Sequence, residues 1–204
     1  LLEPFVEPYF AALERIWQRA TENGVTGLQR LDATGISELE PHAAGVGALY
    51  SPHTAITDFV AVAQAYADDV VKAGGSVRLS TPANRIVQRA GVVDVHTPHE
   101  LLTFDRLVVC AGLQSDVVAR MAGDDPEPAI VPFRGEYYTL TPERTGLVNG
   151  LIYPVPDPNY PFLGVHFTKR VDGRVDVGPN AVLALAREGY ERKSVSLGEL
   201  KDTL

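Results

Sequence analysis

Apolar positions along the chain alternate between helical and strand rhythms. Pro8 to Asn23 carries Phe10, Leu13, Ile16 and Trp17 near helical spacing, and Asn23-Gly24 supplies a stop. Thr34 to Leu39 predicts a short helix with Thr34 and Ser37 near its start, and Ala48-Leu49-Tyr50 a short strand. Thr57 or Asp58 then caps a clear helix with Phe59, Val62, Ala63, Tyr66 and Val70 on one stripe. It ends at Lys72, before Gly74-Gly75. Ser76 to Leu79 reads as a strand. Arg85 to Gln88, Val92 to His96 and Leu101 to Phe104 read as a β-meander. Leu107 to Cys110 is unbroken and apolar, which predicts a strand buried on both faces, with a helix following Ala111-Gly112.

The stretch from Asn149 to Asn180 organises the second half. Leu151-Ile152-Tyr153 is stopped by Pro154, Pro156, Pro158 and Pro161, so this insert is no central strand. Phe162 to Thr168 and Arg174 to Gly178 flank Asp172-Gly173, a strong hairpin signal. Alternation sends Leu163, Val165 and Phe167 to a face packed on helices, and Phe162, Gly164, His166 and Thr168 to the other. That second face sets an imidazole beside a glycine, a wall suited to a flat ligand. Val131 to Leu140 adds a strand, giving an antiparallel sheet, and from Ala181 the pattern turns helical, with Glu188 to Leu204 loosely held.

Composition narrows the class. With 204 residues, 45% hydrophobic and 22% charged, the chain is globular. Its net charge of -8 speaks against a nucleic-acid partner and requires local cations at any acid-binding site. One cysteine, Cys110, excludes an internal disulfide and suits a reducing, cytoplasmic setting, with peripheral membrane contact left open. No apolar run spans a membrane, and no metal site is expected. The chain begins at Leu1 rather than methionine, so an excised piece of a longer protein is expected.

A set of ordered motifs then points further. ELEPH at 38–42, SPHTAITDF at 51–59, VVCAGLQSD at 108–116 and PFRGEYY at 132–138 precede IYPVPD, FLGVHFT, DGRV and VGPNAV within the central stretch. In that order they resemble the middle of the L-2-hydroxyglutarate dehydrogenase/oxidase family, flavoproteins of the D-amino-acid-oxidase-like superfamily. The resemblance implies an α+β fold: an antiparallel-sheet substrate domain with helices on one face, plus a partial FAD-binding α/β domain of meander and parallel strand. Residues 1–52 and 123–204 would belong to the substrate domain and 53–122 to the FAD domain. No Gly-x-Gly-x-x-Gly turn occurs; Gly45-Val46-Gly47 lacks the third glycine. In the family that turn lies upstream of Leu1, so this piece alone is expected to be inactive and to bind FAD weakly.

The resemblance implies oxidation of an anionic L-2-hydroxy acid to the 2-oxo acid, with hydride passing to FAD. His166 is the leading base, weighed against a hydrogen-bonded sheet histidine; His53, at the SPHTAITDF crossover, is the second. Arg134 is the expected carboxylate partner, weighed against an ion pair with Glu136. Lys169 and Arg170 read as a solvated edge. Tyr153 and Asn180 are further substrate candidates, Tyr153 alternatively packing in the core and Asn180 alternatively capping a helix. Ile86, Cys110, Ala111 and Gly112 are carried over as flavin contacts, and Cys110 reads as a buried strand-end thiol rather than a redox group. Thr54-Ala55 stands where the family suggests Thr-Gly. An amine or amino-acid oxidase of the same superfamily, and a non-enzymatic ligand-binding module, are the competing readings.

Overall fold

The computed structural model describes residues 3–125, 127, 129–157 and 163–199. The chain divides into two compact units, Leu1–Phe59 with Gly135–Ala181 and Val60–Arg134 with Val182–Leu204.

In the first unit, α1 (Glu3–Glu22) starts before the predicted Pro8 and ends where Gly24 takes a φ of +74°, a conformation glycine adopts without strain. Trp17 is half-buried, with the Arg30 guanidinium 4.3 Å from its ring centroid, so it packs rather than standing as an open platform. β1 (Gln29–Asp32) was not legible from its polar QRLD sequence; it pairs antiparallel with β2 (Gly47–Tyr50). Between them lies α2 (Ala33–Leu39), capped by Asp32 rather than by Thr34 or Ser37: Gly35 N donates to Asp32 Oδ1 at 2.9 Å. The Glu40 carboxylate after α2 accepts from the backbone N–H groups of Asn149 and Gly150 at 2.9 and 2.6 Å, clamping two distant segments.

The main sheet is antiparallel, with β6 (Phe133–Thr139), β9 (Val175–Leu183), β8 (His166–Lys169) and β7 (Leu151–Ile152) in that spatial order. The proline-stopped β7 takes an edge, as its chemistry requires. The β8–β9 hairpin turns at Gly173, φ +85°. Described strand geometry begins only at His166, and Phe162 lies outside the described residues. Val175 is fully buried, while His166, Thr168 and Asp176 share one buried face.

The second unit opens with α3 (Phe59–Lys72), whose first residue belongs to the first unit. No α3 residue is buried, and Phe59 is 77% exposed. The meander forms as predicted from β3 (Arg85–Arg89), β4 (Val92–His96) and β5 (Leu101–Phe104), with Ile86 paired to Val95 at its core. Residues 76–79 and 107–110 are not strands. An apolar run is sealed on both faces only when strands flank it, and among the described residues neither segment pairs with one, so Val108 is 85% exposed. A 3-10 turn, Gly112–Gln114, leads into α4 (Ser115–Met121).

The segment after Ala181 also departs from expectation. β9 continues to Leu183, and the described residues beyond it form turns and a parallel bridge, Leu185 with Val195, instead of a helix. Residues 182–204 fall within the second unit. The reason is Arg187. Its guanidinium, with its side chain 1% exposed, grips Asp116 in α4 at 2.5 and 2.7 Å and donates to Leu113 O, while Glu199 accepts from its backbone N–H. Asp116 also accepts from Val117 N and Ile130 N. These bonds, led by Arg187 and acting against burial, hold the Asp116 carboxyl well below the usual carboxylate range. The described tail is thus held at Glu199.

Candidate active site

His166 stands at the start of β8, 7% exposed, opposite Gly178 of β9. Its Nδ1 lies 3.0 Å from the Gly164 carbonyl oxygen. Tyr153, just past β7, lays its ring 4.7 Å from the imidazole at an interplanar angle of 30°. Tyr137 of β6 approaches edge-on, at 6.2 Å and 74°. Gly178 admits that tyrosine, since a Cβ there would fall 2.7 Å from Tyr137 Cδ1. The imidazole is thus held between two aromatic rings on a rigid sheet, where strand spacing and small residues fix its direction.

The same face continues with charge. Asp176 accepts from Thr139 Oγ1 at 2.8 Å and from Arg170 Nε at 2.7 Å. Burial alone would raise the Asp176 carboxyl; Arg170 and Thr139 outweigh it and hold the group below its ordinary value. Arg170, expected on a solvated edge, instead serves this buried acid, with its guanidinium 6.0 Å from the Tyr137 ring centroid. Lys169 is exposed.

The reverse side of the sheet, carrying Val165 and Phe167, faces α1 and α2 as alternation suggested. It lines an apolar cavity of about 660 Å³ whose other walls include Leu13 and Ile16 of α1 and Ile36 of α2. Tyr153 and Gly164 also border this cavity.

His53 is exposed in the crossover after β2, with its Nε2 3.2 Å from where a Gly27 Cβ would lie. Tyr153, read alternatively as core, is about half exposed and stacks on His166. Asn180 lies exposed within β9 and caps no helix. Arg134 belongs to the second unit, where its Nη1 donates to the carbonyls of Gly189 and Glu191 at 3.1 and 2.9 Å. Ile86 buries its side chain in the meander, leaving only its backbone for a ligand. Cys110 is exposed, not a buried thiol, because the 107–110 run has no flanking strand among the described residues. Tyr137 and the Asp116–Arg187 pair were missed. A glycine across the sheet was the only signal for the first; 71 residues of sequence separation left none for the second.

Cys110, Ala111 and Gly112 run from an exposed extended segment into a turn where Gly112 adopts φ +54°, and a Cβ there would meet nothing within 4 Å. That bare, open backbone fits close approach by a flat cofactor. The sequence has no glycine-rich pyrophosphate turn, so these residues match one part of such a group's binding surface.

The chain is 45% identical over 197 residues to the mitochondrial L-2-hydroxyglutarate dehydrogenase of Caenorhabditis elegans, covering 94% of this chain and 46% of the relative. It is 41% identical to the human mitochondrial protein of that name and 42% identical to the L-2-hydroxyglutarate dehydrogenase of Indibacter alkaliphilus, covering 94% of this chain and 44% and 48% of those relatives. The chain spans about half the length of the curated relatives it matches. In solved structures, the fold matches FAD-bound L-alpha-glycerophosphate oxidase of Mycoplasma pneumoniae with a TM-score of 0.79 at 23% identity, covering 97% of this chain and 54% of that one. Glycine oxidase of Bacillus cereus matches with a TM-score of 0.67 at 18% identity, over 86% and 46% of the two chains. Over residues 2–203 the sequence also matches the family described as FAD dependent oxidoreductase, and the chain belongs to that family.

Proposed function

We propose that the protein carrying this chain oxidises L-2-hydroxyglutarate, or a closely related L-2-hydroxy acid, to the 2-oxo acid. The observation that carries this reading is the buried, ring-clamped His166 on the sheet face, in a chain 41–45% identical to relatives named for that reaction. When bound, FAD supplies the two-electron acceptor for the substrate's C2 hydride. His166 accepts the hydroxyl proton as that C–H bond breaks, a role that calls for a fixed imidazole with one open nitrogen. His53 is the second base candidate. Arg134, its Nη1 fixed by two carbonyls, and Tyr153 and Asn180 are proposed to recognise the substrate's carboxylates. The exposed backbone of Cys110, Ala111 and Gly112, and the Ile86 backbone, are proposed to line the flavin. Among the described residues no helix is long and apolar enough to cross a membrane. A reducing compartment is proposed from the single cysteine, and the animal relatives cited above are named mitochondrial.

The test is anaerobic flavin bleaching in the full-length protein, with L-2-hydroxyglutarate set against glycine and sarcosine. The hydroxy acid should bleach the flavin. His166→Ala should slow bleaching by about 10²- to 10⁴-fold at unchanged flavin content. Bleaching by glycine or sarcosine alone would give the site to an amine oxidase, and unchanged kinetics in the variant would remove His166 from the reaction.

A further inference from the structure

We infer that Gly164 and Pro154 are positioning residues for His166: the Gly164 carbonyl fixes the imidazole proton on Nδ1, and Pro154 fixes that carbonyl. The catalytic half of this inference rests on the reading of His166 as the proton acceptor; the tautomer itself does not. A carbonyl oxygen has only lone pairs to offer, so the 3.0 Å contact is a hydrogen bond only when Nδ1 carries the hydrogen. In the neutral ring the lone pair then sits on Nε2. Nε2 makes no hydrogen bond among the described residues, yet no buried side-chain nitrogen or oxygen is left without one, so Nε2 reaches accessible space. A histidine can tie a sheet together through both nitrogens. This one engages the nitrogen facing its own backbone and leaves the other open.

The carbonyl's position is set by a close contact. A Cβ on residue 164 would fall 2.6 Å from Pro154 Cγ, closer than any side chain tolerates, so glycine is required for the 164 backbone to lie against the pyrrolidine ring. Pro154 has a fixed φ and restricts the residue before it, Tyr153, whose ring lies over the imidazole. One dipeptide thereby sets both the ring that lies over His166 and the wall behind the carbonyl that orients it. The Tyr137 ring packs on the imidazole at a steep angle and leaves Nε2 open.

The experiment uses the full-length, flavin-loaded protein with ¹⁵N-labelled histidine, and His166→Gln assigns the signal by its loss. The wild-type spectrum should show the Nδ1–H tautomer for His166. Gly164→Ala should move that signal towards the other tautomer and slow flavin reduction by about 10- to 100-fold, the penalty of a misaimed catalytic group. Adding Pro154→Ala, which removes the ring the new methyl strikes together with the wall behind the carbonyl, should restore both readouts only in part relative to Gly164→Ala. An Nε2–H tautomer in the wild type overturns the inference at once, and that spectrum decides even if Gly164→Ala does not fold. A folded Gly164→Ala with wild-type spectrum and rate overturns it equally. Normal reduction in His166→Ala overturns the base assignment instead, and with it the catalytic half of the inference, while the spectrum still judges the tautomer.

Discussion

Removing one member of the Asp116–Arg187 pair should be among the most damaging single changes in the second unit. Both side chains are nearly sealed from solvent, at 3% and 1% exposed, and two short bonds join them in bidentate geometry. Arg187→Met leaves a buried carboxylate with two backbone N–H donors and the partly exposed Arg120 at 3.3 Å, too little to replace the lost charge. Losing one partner of such a pair costs about 3–5 kcal/mol. In urea denaturation of the full-length protein, with a slope of about 2–3 kcal/mol per molar, the midpoint of the transition containing this unit should fall by roughly 1–2.5 M. Asp116→Asn should fall comparably, while Asp116→Asn with Arg187→Met should lose less than the sum of the two, because no charge is then stranded. Acid should reproduce the effect. The Asp116 carboxyl is lowered on folding, so its contribution is present above the unfolded-state value of about 4 and is lost as pH falls through its depressed folded value. Strict additivity of the two single changes, or a loss below about 1 kcal/mol for Arg187→Met, would refute the reasoning.

Other perturbations address the first unit. Gly178→Ala forces a methyl to within 2.7 Å of Tyr137 Cδ1 and 2.8 Å of Glu136 O, and should destabilise by about 1–3 kcal/mol in thermal melting. Asp176→Asn removes the acceptor charge facing Arg170. Discounted for the partly exposed guanidinium, the loss should be about 1–2 kcal/mol near neutral pH and should vanish in acid, because this carboxyl too is lowered on folding. Glu40→Ala strands the N–H groups of Asn149 and Gly150, and hydrogen exchange at both should accelerate markedly.

Local signals carried a large share of the fold. The α3 stripe with its Lys72 and Gly74 stop, the meander, the hairpin at Asp172-Gly173 and the edge placement of the proline-stopped β7 all follow from periodicity, turn chemistry and the missing proline donor. His166 was legible as a candidate because alternation put it beside Gly164 on one face of a strand. Period and propensity are properties of neighbours in sequence, and these features need nothing more.

Tertiary structure decided the rest. Leu107 to Cys110 has every local mark of a buried strand, yet strand identity depends on a hydrogen-bonding partner that no local pattern encodes, and the segment lies exposed. Asp116 meets Arg187 and Glu40 meets Gly150 across 71 and 110 residues, where charge in the sequence has no address. The Nδ1 contact joins residues only two apart, but Gly164 is held in place by Pro154, and the rings over His166 come from Tyr153 and Tyr137, brought there by other strands. Sequence named the imidazole; packing from distant segments gave it an orientation, because direction is a property of the walls around a side chain rather than of the side chain itself.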